Sequence, residues 1–240
     1  MNYMNQQHNE TQSYNATGVI AKNFISNVFS WMGIAMAITA VTAYFFANDP
    51  ALIGMLVNEN GMSMMGWIVM FSPFILVLVM GMRFQRMSYG ALVAVFAIYS
   101  ILMGMSLSFI LLVYTAASVF QTFLVTAVMF GVMALVGYTT KTDLTKFGSI
   151  LFMALIGLIV ASVINMFMHS GTMEYIISFA GVLIFTGLIA YDVQKLKKIG
   201  SGLMYQSTDA NKLAIMGALS IYLDFINLFL FLLRFMGDRR

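Results

Sequence analysis

The chain has 240 residues, 61% of them apolar and 9% charged, with a net charge of +3. Soluble domains carry roughly a quarter charged residues, so this composition excludes a water-covered globular surface and requires lipid around the fold. At about 20 residues per helical crossing, the length allows about eight or nine spans at most and no separate soluble domain.

The basic excess sets orientation more than choice of partner. With no cysteine there is no disulfide, thiol or thiolate-metal chemistry. Residues 1–21 are polar and rich in Asn and Gln, which predicts a disordered tail. They lack the basic start and short apolar region of a signal peptide, so the first apolar run is expected to be retained. Apolar runs follow over about 23–47, 64–82, 89–113, 117–139, 147–168, 175–191 and 213–236. Continuous runs of this length predict helices, since barrel strands would alternate over about ten residues. The expected fold class is all-α, an integral membrane seven-helix bundle forming one domain over 22–240. Connectors are expected at Asn48-Asp49-Pro50, Asn58-Glu59-Asn60-Gly61, Ser170-Gly171 and Gly200-Ser201-Gly202.

Lys and Arg give the orientation. Lys22, Arg83, Arg86, Lys141, Lys146, Lys195, Lys197, Lys198 and Lys212 fall on one side of such a bundle. Arg234, Arg239 and Arg240 fall on the other. The excess on the first side predicts a cytoplasmic N-terminus and an outside C-terminus, in a multi-pass protein of the cell membrane. The basic tail is the discordant feature, and an eighth or re-entrant segment would remove it. The sequon Asn15-Ala16-Thr17 carries no weight on an inward tail.

Of nine acidic residues, seven (Glu10, Asp49, Glu59, Asp143, Glu174, Asp209 and Asp238) sit in tails, loops or helix ends. Asp143 reads as a turn or helix start. Asp224 differs, because it lies about eleven residues inside the last apolar run, roughly 16 Å deep. A lone charge there costs at least about 2.5–3.5 kcal/mol, so it must be protonated, paired or facing water inside the bundle. Gly217, Ser220, Asp224 and Asn227 recur at three- or four-residue intervals and form one polar stripe. That stripe could equally hold helices together without an ionisable role.

Asp192 lies at the inner end of the sixth run, where Lys195 or Lys198 could neutralise it. The sixth and seventh helices are sequential and antiparallel, but counting residues leaves the two carboxylates about 10 Å apart in depth. If they meet, they cannot both ionise cheaply and would share a proton as one unit. Doubly ionised, the pair would attract a divalent cation. Ca²⁺ prefers six to eight oxygens, so a weak transit site fits better than a storage site.

Two segments carry a family resemblance: Ala190-Tyr191-Asp192-Val193-Gln194-Lys195, and Ser220-Ile221-Tyr222-Leu223-Asp224-Phe225 with the run to Gly237. Phe71-Ser72-Pro73, Met103-Gly104-Met105-Ser106-Leu107-Ser108 and Gly137-Tyr138-Thr139-Thr140 add to it. Over about 22–237 the chain resembles the Bax inhibitor-1 family of transmembrane proteins, in its bacterial branch. The resemblance implies a bundle with the last helix central and surrounded by the other six. It also implies a pH-sensitive calcium leak of the bacterial inner membrane, with Asp192 and Asp224 as sensor and ion path. A basic residue at the end of the second helix would latch the sixth-helix aspartate. The candidates are Arg83 and Arg86, with Arg83 preferred. Ca²⁺ is then transported cargo, and no cofactor is expected.

Rival classes fit less well. An intramembrane aspartyl protease would share Tyr191-Asp192, but the second aspartate sits in Tyr222-Leu223-Asp224 rather than Gly-x-Gly-Asp, and Pro50-Ala51-Leu52 lies in an early loop. A serine protease lacks a Gly-x-Ser-x-Gly motif, and of the two histidines His8 is in the tail and His169 at a helix end. No enzyme is expected, and no nucleic-acid partner. The alternative is a non-transporting membrane partner that modulates a membrane-bound quality-control protease. Lys195, Lys197 and Lys198 read as topological anchors, with anionic lipid contact as their other use.

Overall fold

The computed structural model describes residues 2–58, 61–202 and 208–240, with side chains described over 20–58, 61–202 and 210–240. His8, Glu10, Glu59, Asp209 and the sequon at 15–17 therefore lie outside the described side chains, as does most of the tail expected over 1–21. Its backbone is helical from the start of α1 (Asn2–Asn48), whose membrane-spanning part is Ile20–Asn48.

Among the described residues eight α-helices follow one another. After α1 come α2 (Pro50–Leu56), α3 (Met64–Arg83) with a 3-10 turn at Phe84–Arg86, α4 (Tyr89–Val113) and α5 (Ala116–Thr139). They continue with α6 (Thr145–Met168), α7 (Gly171–Gly202) and α8 (Thr208–Met236). All but α2 are long and apolar enough to cross a membrane, giving seven spans among the described residues. The short α2 was not expected, although its signal is present. Asp49 caps it by accepting from the amides of Ala51 and Leu52, and Pro50 opens the first turn. A two-residue hairpin, Val57 opposite Met62, links α2 to α3. Ser63, Ser88 and Thr115 cap α3, α4 and α5, each side-chain oxygen accepting from an amide three residues on. At the far end of α6, His169 adopts a left-handed backbone (φ 52°) as the C-cap, and its Nδ1 lies 3.1 Å from the Phe167 carbonyl.

The last helix is the innermost. In α8, 67% of the apolar window is buried, against 56% in α7 and no more than 33% in any other span. It packs against α1, α4, α5 and α7, whereas α3 packs chiefly on α4 and α6 on α7. The expected ring of six around the last helix is thus four direct neighbours with two helices outside them.

Two boundaries differ from the hydropathy reading. The expected connector Gly200-Ser201-Gly202 belongs to α7, which runs eleven residues past Tyr191. Among the described residues α8 is the seventh span, and the expected eighth or re-entrant segment is not seen. Residues 237–240 instead fold back onto neighbouring ends: Thr115 N donates to Asp238 O (3.1 Å), Arg240 N to Val113 O (2.9 Å), and Arg239 pairs with Glu174 (2.9 Å).

Candidate functional site

The innermost pair of helices carries two buried acids. Asp192 on α7 is 7% exposed and Asp224 on α8 is 6% exposed. The two carboxyl groups face each other across the α7–α8 interface, close enough to interact electrostatically. A hydrogen bond between them would need a proton on one, because a carboxylate has none to donate. Ser220, one turn before Asp224 on α8, donates its hydroxyl to Asp192 Oδ2. One oxygen of the pair, Asp224 Oδ2, is buried without a hydrogen-bond partner among the described residues.

The depth mismatch expected from the sequence shrinks to about one helical turn, about 6 Å, because Asp192 stands level with Ser220, four residues before Asp224 on α8. Asp192 lies ten residues before Gly202, about 15 Å along the helix from its inner end. Asp192 is buried within the bundle rather than exposed at a helix end. Lys198 does not neutralise it, since Lys198 pairs with Asp143 at 2.7 Å. Lys195 is the basic residue whose charge reaches Asp192, and its Nζ also lies 6.0 Å from the centre of the Tyr191 ring.

What fixes Asp192 is a clamp on the C-terminal half of α7. Gln194 Nε2 donates to Thr142 O (2.7 Å), and Leu144 N donates to Gln194 Oε1 (2.8 Å), so one amide side chain satisfies both directions of the α5–α6 loop. Lys197 donates to Tyr138 O (2.8 Å) and stands 4.8 Å from the centre of that residue's ring. Asp143, held by Lys198 and by the amide and hydroxyl of Thr145, has its carboxyl kept well below the usual carboxylate range, first by the lysine. Close helix approach completes the clamp. A Cβ on Gly137 would come within 2.2 Å of Ala190 O, and one on Gly148 within 2.4 Å of the Tyr191 ring.

The opposite face of α8 is tied by hydroxyls that the sequence reading did not single out. Thr39 of α1 donates to Ser100 O of α4 (3.0 Å) and lies 2.7 Å from the Tyr222 hydroxyl, which donates to it. Their signal was a threonine and a tyrosine in the middle of apolar runs, which is weak without knowing that the helices adjoin.

The remaining predicted residues lie elsewhere. Asn227 turns its amide back onto Leu223 O (2.8 Å) and lines a cavity of about 510 Å³ between α3, α4 and α8, together with Pro73, Tyr99 and Ser106. Arg83, the last residue of α3, and Arg86, in the 3-10 turn after it, are exposed. Among the described residues the ion pairs are Lys198–Asp143 and Arg239–Glu174, and neither arginine is joined to Asp192. No group of three or more His, Asp or Glu side chains converges among the described residues, so a cation here would meet two carboxyls and the Ser220 hydroxyl.

Comparison with known proteins places the chain. A family model described as "Inhibitor of apoptosis-promoting Bax1" matches residues 21–240. Inner membrane protein YbhL of Escherichia coli strain K12 is 44% identical over 220 residues, covering 91% of this chain and 93% of that one. An uncharacterized protein of Borreliella burgdorferi is 43% identical over 222 residues, 92% of this chain and 94% of its own. A Streptococcus pyogenes serotype M1 membrane protein is 38% identical over 234 residues, 95% of this chain and 98% of its own.

Proposed function

The chain belongs to the Bax inhibitor-1 family, and from that premise we propose that it is a proton-controlled leak for Ca²⁺ across the inner membrane. Asp192 and Asp224 are its sensor. The observation that carries this reading is the burial of both acids between the two innermost helices, with Asp192 held by the Ser220 hydroxyl one turn from Asp224.

The chemistry runs as follows. With one proton between them, the carboxyls form a hydrogen bond that ties α7 to α8. Losing that proton leaves two like charges in contact at low dielectric, and their repulsion opposes the contact. The two innermost helices then keep the Ser220–Asp192 bond but are pushed apart at the carboxyls, while the doubly charged pair becomes attractive to a divalent cation. Three oxygen-bearing side chains fall short of the six to eight ligands Ca²⁺ prefers, which suits passage rather than retention. Arg83 or Arg86 could serve as a latch only in a bundle where α3 has moved, since both are exposed here. The lysine-rich end, with Lys141, Lys146, Lys197 and Lys198, faces the cytoplasm in this proposal.

The test is Ca²⁺ release from dye-loaded liposomes containing the purified chain, measured from pH 6 to 8. A rate that changes across that range supports the leak. No flux at any pH, with stable co-isolation of a membrane protease, would point to a non-transporting modulator instead.

A further inference from the structure

On the side of α8 away from the carboxyl pair, an open groove of about 430 Å³ faces the lipid between α1, α4 and α5. It exists because α5 leaves α4 after the turn at Tyr114 and Thr115 and packs instead on α7 and α8. Ala40, Ala43 and Tyr44 form one wall, Ala116, Phe120 and Phe123 the other. Phe225, Ile226 and Phe229 of α8 form the floor. Thr39 and Tyr44 are the only lining residues with a polar side-chain group, and the Thr39 hydroxyl is already engaged by Ser100 and Tyr222. A space this apolar is not a water site.

Charge at one end says what fills it. Ala116, Leu111 and Tyr44 place the groove's upper end at the α4–α5 turn. Arg240 is pinned beside that turn by its amide, which donates to Val113 O (2.9 Å). Arg239 next to it is taken by Glu174, whereas the exposed Arg240 side chain is in neither ion pair of the described residues. The apolar groove thus ends beside the residue that carries this exposed guanidinium, with the neighbouring Asp238 carboxylate taken by the Ser118 hydroxyl (3.4 Å).

We propose that this groove seats one acyl chain of an anionic phospholipid, with the phosphate on Arg240. The chain would lie against Phe225 and Ile226, the two residues after Asp224, and so would brace α8 from behind. This site stands on the seven-span membrane fold and does not depend on the leak.

The test is native mass spectrometry of the full chain in detergent, with equimolar phosphatidylglycerol and phosphatidylcholine of identical acyl chains. One retained phosphatidylglycerol per chain is expected, preferred about fivefold, the effect of about one basic residue at an anionic headgroup. Ala40→Trp, on an exposed wall position, should abolish retention of both lipids, and Ala116→Trp on the opposite wall should do the same. Arg240→Gln should keep retention and lose the preference. Equal retention of the two lipids by the unaltered chain, or unchanged retention in both tryptophan variants, overturns the proposal. So does conversion of a lipid-free dimer to monomer by Ala40→Trp, which would assign the groove to a second copy.

Discussion

Ser220 and Asp192 are joined by a hydrogen bond across the α7–α8 interface, one helical turn from Asp224. The bond gives the carboxyl pair a fixed partner that does not titrate. Ser220→Ala should leave Asp192 with Asp224 alone and lower stability by about 1 kcal/mol. For a chain of this size that is a fall in melting temperature of about 2–4 °C. Thermal unfolding in detergent measures it, Ser220→Thr should restore most of the loss, and an unchanged melting temperature would show that the bond contributes nothing.

Close packing of α5 on α7 makes a second prediction. Gly137→Ala would put a methyl group within 2.2 Å of Ala190 O, a backbone atom that cannot swing aside. Overpacking of this kind costs about 1–3 kcal/mol. Gly131→Ala on the same helix meets open space and should be neutral, or stabilise by up to about 1 kcal/mol through helix propensity. The two variants are compared by melting temperature in one detergent, and equal values would contradict the tight α5–α7 contact.

Gln194→Leu removes both bonds to the α5–α6 loop, leaving Thr142 O and Leu144 N without that partner. Each group left unsatisfied costs about 1–3 kcal/mol where water cannot replace the bond. Hydrogen exchange should therefore speed up at residues 141–145 and along the inner half of α7, while α3 and α4 stay unchanged. Exchange at the loop identical to that of the unaltered protein would show that Gln194 is not the clamp.

Asp143 supplies the pH control. Its folded carboxyl sits below the ordinary value of about 3.9, so its stabilising effect is complete above that value and is lost only as pH falls further. It therefore stays ionised throughout pH 6–8. Asp143→Asn should leave the pH profile of Ca²⁺ flux in place, and a displaced midpoint would implicate the loop in sensing.

The spans were legible because lipid demands long apolar runs, and Asp224 stood out because nothing else charged lies so deep. The end of α7 was not legible. Asp192, Lys195, Lys197 and Lys198 look like a helix leaving the membrane, yet the helix continues and spends those charges on the α5–α6 loop and the Tyr191 ring. Hydropathy sees polarity, whereas the partners that satisfy it come from another helix. For the same reason Ser220 and Asn227 share one stripe in the sequence and diverge in the fold, the first onto Asp192 and the second onto its own backbone. The short α2 was missed because seven residues are too few for a periodic signal, although its Asp-Pro cap was in view.

The central claim is that Asp192 and Asp224 act as one proton-sharing unit that controls Ca²⁺ passage. Its most direct test is Ca²⁺ flux from pH 6 to 8 in liposomes, comparing the unaltered chain with Asp192→Asn and Asp224→Asn. The shared proton predicts a pH-dependent rate in the unaltered chain and a flattened profile in both single variants, because either one removes the coupled titration. A profile that keeps its midpoint and amplitude in both variants would contradict it.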